Sequence, residues 1–210
     1  MENELAHAEE ESSVGQDLSD DALKEITDGY AARIKLPLMK RPVRIVICPV
    51  GLVGSGKTTV VKALTERLGL IRVSSDEIRI LLRERGYNFQ RVVELGERVL
   101  KRFAEQGYSL IIDSDCVTRY SQVEGLVAKT GYKPIWIHIA TPEKTILERL
   151  KNYRDHWLFS SPEEALENYS RRKPLHAKLD IPFLFVFDTS RDDFAAQLDQ
   201  ATALIENIRA

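Results

Sequence analysis

The sequence predicts an α/β fold: a mainly parallel sheet with helices on both faces. Three observations predict it. Short apolar runs alternate with longer stretches of helical spacing along most of the chain. Two or three of these runs are continuous, the pattern of strands covered on both sheet faces. The first run, Val43–Val50, passes directly into Gly51-Leu52-Val53-Gly54-Ser55-Gly56-Lys57-Thr58 and then Thr59-Val60-Val61-Lys62-Ala63-Leu64: a strand, a glycine-rich turn and a helix start in succession.

At the N-terminus, residues 1–30 hold ten acids against the single base Lys24, a charge of −9, while residues 31–210 carry +7. Residues 1–18 are too polar and too acidic to bury a face, which predicts a disordered arm; the other reading lays the arm over the positive body. Over residues 19–42 the chain predicts a short helix and a linker. Leu23, Ile26, Tyr30 and Ile34 share one helical face, Ser19 suits an N-cap and Pro37 stops the helix. The main domain is expected over residues 43–210. Its strands are Val43–Val50, Leu70–Val73, Ser109–Asp113, Lys133–Ala140 and Phe183–Phe187. Between them the predicted helices are Lys57–Leu68, Asp76–Glu84, Val92–Gln106, Ser121–Thr130, Pro142–Leu150 and Asp192–Ile208. Gly69, Gly86, Gly107 and Gly131 mark the turns. Lys151–Lys173 departs from the repeat. It is basic and aromatic, and Ser161-Pro162-Glu163-Glu164 starts a further helix with proline at its first position, which predicts a small helical lid.

The length of 210 residues suits one well-buried domain with a small appendage. Cys48 and Cys116 lie far apart in sequence without metal spacing, and no apolar run points to secretion or a membrane span, so a cytoplasmic protein with reduced thiols is expected. Cys48 reads as a core residue. His7, His138, His156 and His176 are scattered without ligand spacing; His138 and Trp136 read as packed strand residues.

Gly51–Thr58 is the G-x-x-x-x-G-K-T phosphate-binding pattern in its required strand-to-helix context. Glycines let the backbone curl with its N–H groups inward, and the following helix adds the positive end of its dipole. Gly51, Gly54, Ser55, Gly56, Lys57, Thr58 and Thr59 are therefore expected to bind a nucleotide. Lys57 reaches its phosphates, and the Thr58 hydroxyl serves Mg²⁺. Asp113 closes the apolar run Ser109–Asp113, the place of a second magnesium-holding group. Asp115 either shares that task or faces the acceptor. Asp76, in Ser74-Ser75-Asp76-Glu77-Ile78-Arg79, falls at the carboxyl edge where such sheets bind ligands. Two compatible roles are open to it: base for an acceptor hydroxyl, or, like Ser75, N-cap of the next helix. Arg79, Arg119, Arg149, Arg154, Arg171 and Arg172 are each suited to clamp a phosphate or to lie in solvent. Arg79 and Arg119 are the acceptor-side candidates and Arg154 the lid candidate.

With these residues in place, the chain resembles the P-loop kinases grouped with polynucleotide kinase, zeta-toxin-type kinases and chloramphenicol and gluconate kinases. The motifs carrying the resemblance are Gly51–Thr58, Ser74–Arg79, Asp113 and Asp188-Thr189-Ser190, within roughly Val43–Ile208. It implies a three-layer P-loop NTPase whose five-stranded parallel sheet has the order 2-3-1-4-5. It also implies that Asp76 is the general base, Arg79 binds the acceptor, Arg149 or Arg154 stabilises the transferring group, and the loop at Thr189 lies against adenine. The chain departs from these relatives at Val53, where a proline is common, and at Asp113-Ser114-Asp115.

The expected activity is transfer of the γ-phosphoryl group of ATP, with Mg²⁺, to a hydroxyl of a small molecule, nucleotide or nucleic acid. The alternative is a nucleotide-dependent switch or accessory ATPase that transfers nothing. A guanine-specific N/T-K-x-D motif is absent from the sequence. No membrane partner is expected, and oligomeric state is not legible.

Overall fold

A computed structural model of the 210-residue chain describes residues 15–119, 123, 124, 127, 130–154, 158–177 and 179–208. The elements in order are α1 (Asp20–Arg33), β1 (Ile45–Val50), α2 (Lys57–Leu68), β2 (Ile71–Ser74), α3 (Ser75–Glu84), α4 (Val92–Glu105), β3 (Leu110–Asp113), β4 (Lys133–Ile139), α5 (Glu143–Lys151), α6 (Pro162–Arg172), a 3₁₀ turn (Lys173–His176), β5 (Phe185–Phe187) and α7 (Phe194–Glu206). The five strands form one sheet in the order β2-β3-β1-β4-β5, with every pairing parallel. The predicted fold class and strand order are those observed.

The alternation within β1 builds two cores. Val46, Cys48 and Val50 face a layer that includes Leu23 and Ile26 of α1, Ile78 and Leu82 of α3, and Leu95, Val99 and Phe103 of α4. Ile45 and Ile47 face Val60, Val61 and Leu64 of α2 with Leu198, Ala201 and Ile205 of α7. A side chain on a strand points to the face opposite its neighbour's, so one apolar run serves both layers. A third cluster, Ile146, Leu150, Phe159, Ala165 and Tyr169, joins α5 to α6. The register sets Ser74 of β2 beside Asp113 of β3 and Ile139 of β4 beside Phe187 of β5, so the strand ends line one edge.

Local chemistry explains the helix ends. The Ser19 side chain accepts from the Ala22 N–H at 3.3 Å, as predicted for α1, and Ser161 accepts from Glu164 at 3.3 Å ahead of Pro162. The cap of α3 corrects the sequence reading. Ser74, rather than Ser75 or Asp76, accepts the Glu77 N–H, because the helix begins one residue early, directly off the strand. This leaves Asp76 inside the first turn. Residues 15–18, expected in the loose arm, are also corrected: Gln16 pairs with Tyr87, Asp17 Oδ1 accepts from Asn88 Nδ2 at 2.6 Å and Leu18 is buried. The expected helix at 121–130 falls largely on residues outside the described ones, as do His7, His156 and Trp157.

α1 lies in the same core as α3 and α4. Leu23, Ile26 and Tyr30 are buried, and on its outer side Asp20 meets Arg91, Glu25 meets Arg85 and Asp28 meets Arg102, each at 2.7 Å. No helix among the described residues is long and apolar enough to cross a membrane.

Candidate active site

β1 delivers the chain to the loop at Val50, and the loop turns through Gly54 (φ 78°) and Gly56 (φ 91°) before α2 starts at Lys57. Only glycine adopts such φ values without strain, and space forbids anything larger. A Cβ on Gly56 would lie 2.8 Å from the Thr189 hydroxyl; one on Gly51 would lie 2.9 Å from the Ser55 hydroxyl and 3.0 Å from the Ile139 carbonyl.

Two other strand ends clasp the loop. Thr141, beyond β4, donates to the Ser55 carbonyl at 2.8 Å, and Thr189, beyond β5, does so at 2.7 Å. Arg149 of α5 donates to the Gly54 carbonyl at 3.1 Å and, through both terminal nitrogens, to the Thr189 hydroxyl and carbonyl at 2.8 Å each. The predicted nucleotide residues Gly54, Ser55, Gly56, Arg149 and Thr189 thus form one connected patch. Thr59 lies exposed on the first turn of α2. The Ser55 hydroxyl is buried and has no hydrogen-bond partner among the described residues, a donor left over inside the cradle.

The Lys57 ammonium folds back over the loop to the Gly51 and Leu52 carbonyls at 2.6 and 3.0 Å. Loss of hydration lowers its pKa, while Asp115, Asp76 and Asp113 pull the other way and Arg172 adds to the lowering. Carboxylates from two different strand ends therefore surround one lysine. Thr58 donates to Asp113 Oδ1 at 3.2 Å, so the two predicted magnesium residues are adjacent; Asp113 itself is buried. A curled run of backbone donors, a lysine and a hydroxyl–carboxylate pair make a donor set that fits a triphosphate with a hard divalent cation.

Asp76 projects from the first turn of α3, and Arg79 reaches its Oδ1 at 3.1 Å. Burial raises the Asp76 pKa and the Asp113 charge adds to this, against the opposing charges of Arg79 and Lys57. The result is a carboxylate readier to accept a proton than an ordinary aspartate.

Asp115 is the hub of the other side. Its Oδ1 accepts from the Gly51 N–H at 3.3 Å, and its Oδ2 meets Arg172 at 3.1 Å and His176 Nε2 at 2.9 Å. Burial works against this carboxylate. The His176 hydrogen bond and the charges of Lys57, His176 and Arg172 outweigh burial and hold its pKa well below the usual range. Through Arg172 at the end of α6 and His176 in the 3₁₀ turn that follows, this stretch is tied by way of Asp115 to the Gly51 N–H. His138 stacks on Phe183 with ring centroids 4.9 Å apart.

Arg119 stands apart from this network, and Arg154 lies at its edge. The Arg119 backbone N–H bonds the Cys116 carbonyl at 3.0 Å, but its side chain makes no hydrogen bond or ion pair with the other predicted site residues among those described. Arg154 is exposed and donates to the Tyr153 carbonyl at 3.0 Å. It lines a cleft of about 330 Å³ with Gly54, Arg149, Tyr153 and Phe159. Sequence reasoning missed His176, Thr141 and Arg72. Only Arg72 left a signal, a cation within a strand whose neighbours are apolar. Cys48 and Cys116, remote in sequence, also meet: burial and the neighbouring Cys116 thiol push the Cys48 thiol well above its ordinary value.

A parallel sheet of order 2-3-1-4-5 with a lysine-bearing glycine loop at the central strand and an acid at the end of its neighbour defines a P-loop nucleotide-binding protein. The AAA domain family matches residues 46–174, and the chain belongs to it. It is 31% identical over 149 residues to a shikimate kinase of Persephonella marina, covering 63% of this chain and 84% of that protein. It is also 31% identical over 131 residues to a UPF0200 protein of Aeropyrum pernix, covering 55% and 68%.

Solved structures share the fold. One comes from the PezAT chromosomal toxin–antitoxin system of Streptococcus pneumoniae (TM-score 0.61, 16% identity, 90% of this chain and 97% of that one). Another is the Mycobacterium tuberculosis APS kinase CysC in complex with AMPPNP and APS (0.54, 16%, 80% and 100%). A third is a sugar kinase from Janibacter sp. (0.52, 21%, 79% and 95%). The chain is accordingly placed among the P-loop kinases.

Proposed function

We propose that this protein is an ATP- and Mg²⁺-dependent kinase that phosphorylates a hydroxyl group. The observation that carries the reading is the arrangement around Lys57: a phosphate-binding lysine shares its electrostatic environment with Asp76, whose pKa is raised, and with Asp113 and Asp115. A switch ATPase would share the loop and the magnesium pair and would activate water in place of an acceptor hydroxyl, so the two readings part at transfer to an acceptor.

In the proposed reaction, an acceptor oxygen forms a bond to the γ-phosphorus while the bond from that phosphorus to the β–γ bridging oxygen breaks. ADP leaves with the electron pair, and the hydroxyl proton passes to Asp76. Gly51–Thr59 cradle the triphosphate, Lys57 neutralises its outer oxygens, and Arg149 with Thr189 holds the loop on the adenine side. Mg²⁺, when bound, supplies charge neutralisation, with Thr58 and Asp113 as its protein partners. Arg79, Asp115 and Arg119 are assigned to the acceptor, and Arg154 to the transferring group. The 31% identity to a shikimate kinase supports a small-molecule acceptor, with nucleotides and 5′-hydroxyl oligonucleotides as the competing class. A cytoplasmic location is part of the same proposal.

The test is transfer of labelled γ-phosphate from ATP to a panel of sugars, polyol acids, nucleosides, nucleotides and 5′-hydroxyl oligonucleotides. Lys57→Ala should abolish it, and Asp76→Asn should retain ATP binding while losing transfer. Full transfer by Asp76→Asn would remove that acid from the mechanism. Phosphate release without any labelled acceptor, lost in Lys57→Ala, would favour the switch.

A further inference from the structure

Asp113 is held from behind. Arg72 places both Nε and NH2 on Asp113 Oδ2, at 2.7 and 2.6 Å, while Oδ1 faces the Thr58 hydroxyl at 3.2 Å. One carboxylate oxygen is occupied by the guanidinium and the other is aimed at the phosphate loop. Arg72 is fixed in turn: its NH1 lies 2.7 Å from Glu77 Oε1 on α3. Glu77 Oε2 accepts from the Tyr30 hydroxyl at 3.3 Å, and that hydroxyl accepts the Ser74 N–H at 3.0 Å. Tyr30 belongs to α1, which precedes the family match at residue 46.

We infer that Tyr30, Glu77 and Arg72 form a positioning relay through which the N-terminal helix aims Asp113 at the metal site. The inference rests on the proposed role of Asp113 as a magnesium partner. Two N–H donors of one rigid guanidinium fork converge on Oδ2 and hold that oxygen in place, leaving Oδ1 to face the loop, which a single point charge does not do. A partner that fixes a metal-holding carboxylate sets how well the group is prepared for the ion, and removal of such partners commonly weakens metal binding. Tyr30 is well placed to anchor the relay because it is 4% exposed and α1 is locked by Leu23 and Ile26. The relay thus makes a segment outside the family's common region part of the site's geometry.

The test reads binding rather than turnover. Fluorescent ATP is titrated with the full chain at a series of Mg²⁺ concentrations, and the midpoint of the magnesium dependence is recorded beside nucleotide affinity in EDTA. Asp113→Asn should raise the midpoint. Arg72→Lys, which keeps the charge and loses the fork, should raise it by about tenfold. Tyr30→Phe and Glu77→Gln should each raise it by about threefold, the scale of one hydrogen bond, with EDTA affinity unchanged. Glu25→Gln, which breaks an ion pair of α1 away from the relay, should lower stability slightly and leave the midpoint in place.

If Asp113→Asn moves the midpoint while the Arg72, Glu77 and Tyr30 variants do not, the relay is overturned and the magnesium reading stands. If Asp113→Asn does not move it, both fall. A lowered midpoint in Arg72→Lys would overturn the relay by showing that the guanidinium competes with the ion. Equal shifts in Glu25→Gln and Tyr30→Phe would reduce the effect to helix stability.

Discussion

α1 carries four acids against two bases, three of the acids in surface ion pairs, yet is held by its apolar face, and the two contributions separate cleanly in experiment. Leu23 and Ile26 are 0% and 1% exposed. Burying each contributes about 1.5–3 kcal/mol. Leu23→Ala should therefore destabilise the protein by about 2–5 kcal/mol, the transfer loss plus the cavity left in a packed layer. The ion pairs Glu25–Arg85 and Asp28–Arg102 have side chains 73%/37% and 58%/45% exposed. Pairs so open to water contribute about 0.2–1 kcal/mol each, so Glu25→Gln with Asp28→Asn should cost no more than about 2 kcal/mol.

Urea unfolding at low salt and at about 1 M NaCl, where screening acts over roughly 3 Å, distinguishes the two. The Leu23→Ala loss should persist in salt, and the loss from the double charge variant should vanish. A charge variant that costs more than Leu23→Ala, or a Leu23→Ala loss that disappears in salt, would refute the argument that burial holds the helix.

Gly56→Ala combines a left-handed φ with a contact 2.8 Å from the Thr189 hydroxyl. It should cost about 2–5 kcal/mol in urea unfolding and weaken ATP binding; wild-type stability would contradict the packing of the loop against Thr189. Because burial raises the Asp76 pKa and Arg79 opposes the rise, Arg79→Gln should move the acid limb of the kcat/KM profile to higher pH. An unmoved limb would mean that Asp76 is not the group titrating. Asp115 has a depressed pKa, so its stabilisation is present above the ordinary carboxylate range and is lost as pH falls through the folded value. The stability gap between wild type and Asp115→Asn should be full at pH 7 and shrink below about pH 4. A gap that grows on acidification would contradict the sign.

Much of the molecule is legible in one dimension because its signals are local. Val43–Val50 followed by Gly51–Thr58 announces a strand, a curled anion loop and a helix, since each depends on residues within a few positions of one another. The same holds for the Ser19 cap and for Pro162 at the start of α6. The start of α3 escaped by one residue because Ser74 belongs at once to a strand and to a cap, and local preference does not rank the two. Residues 15–18 looked too polar to be fastened, yet Gln16 and Asp17 find partners at Tyr87 and Asn88.

The sequence by itself determined the class: an α/β P-loop fold with Lys57 and Thr58 at the end of the glycine-rich loop and Asp113 at the end of a neighbouring strand. Only the tertiary structure decided which groups surround them. His176 showed no ligand spacing in the sequence, but the 3₁₀ turn after α6 brings it to Asp115. Tyr30 read as one residue of an apolar face, and its hydroxyl ends at Glu77 behind the Asp113 carboxylate. The physical reason is range. Backbone curvature and helix capping are set over a few residues, whereas a buried carboxylate takes whichever partners the parallel register and the packing of separate helices deliver.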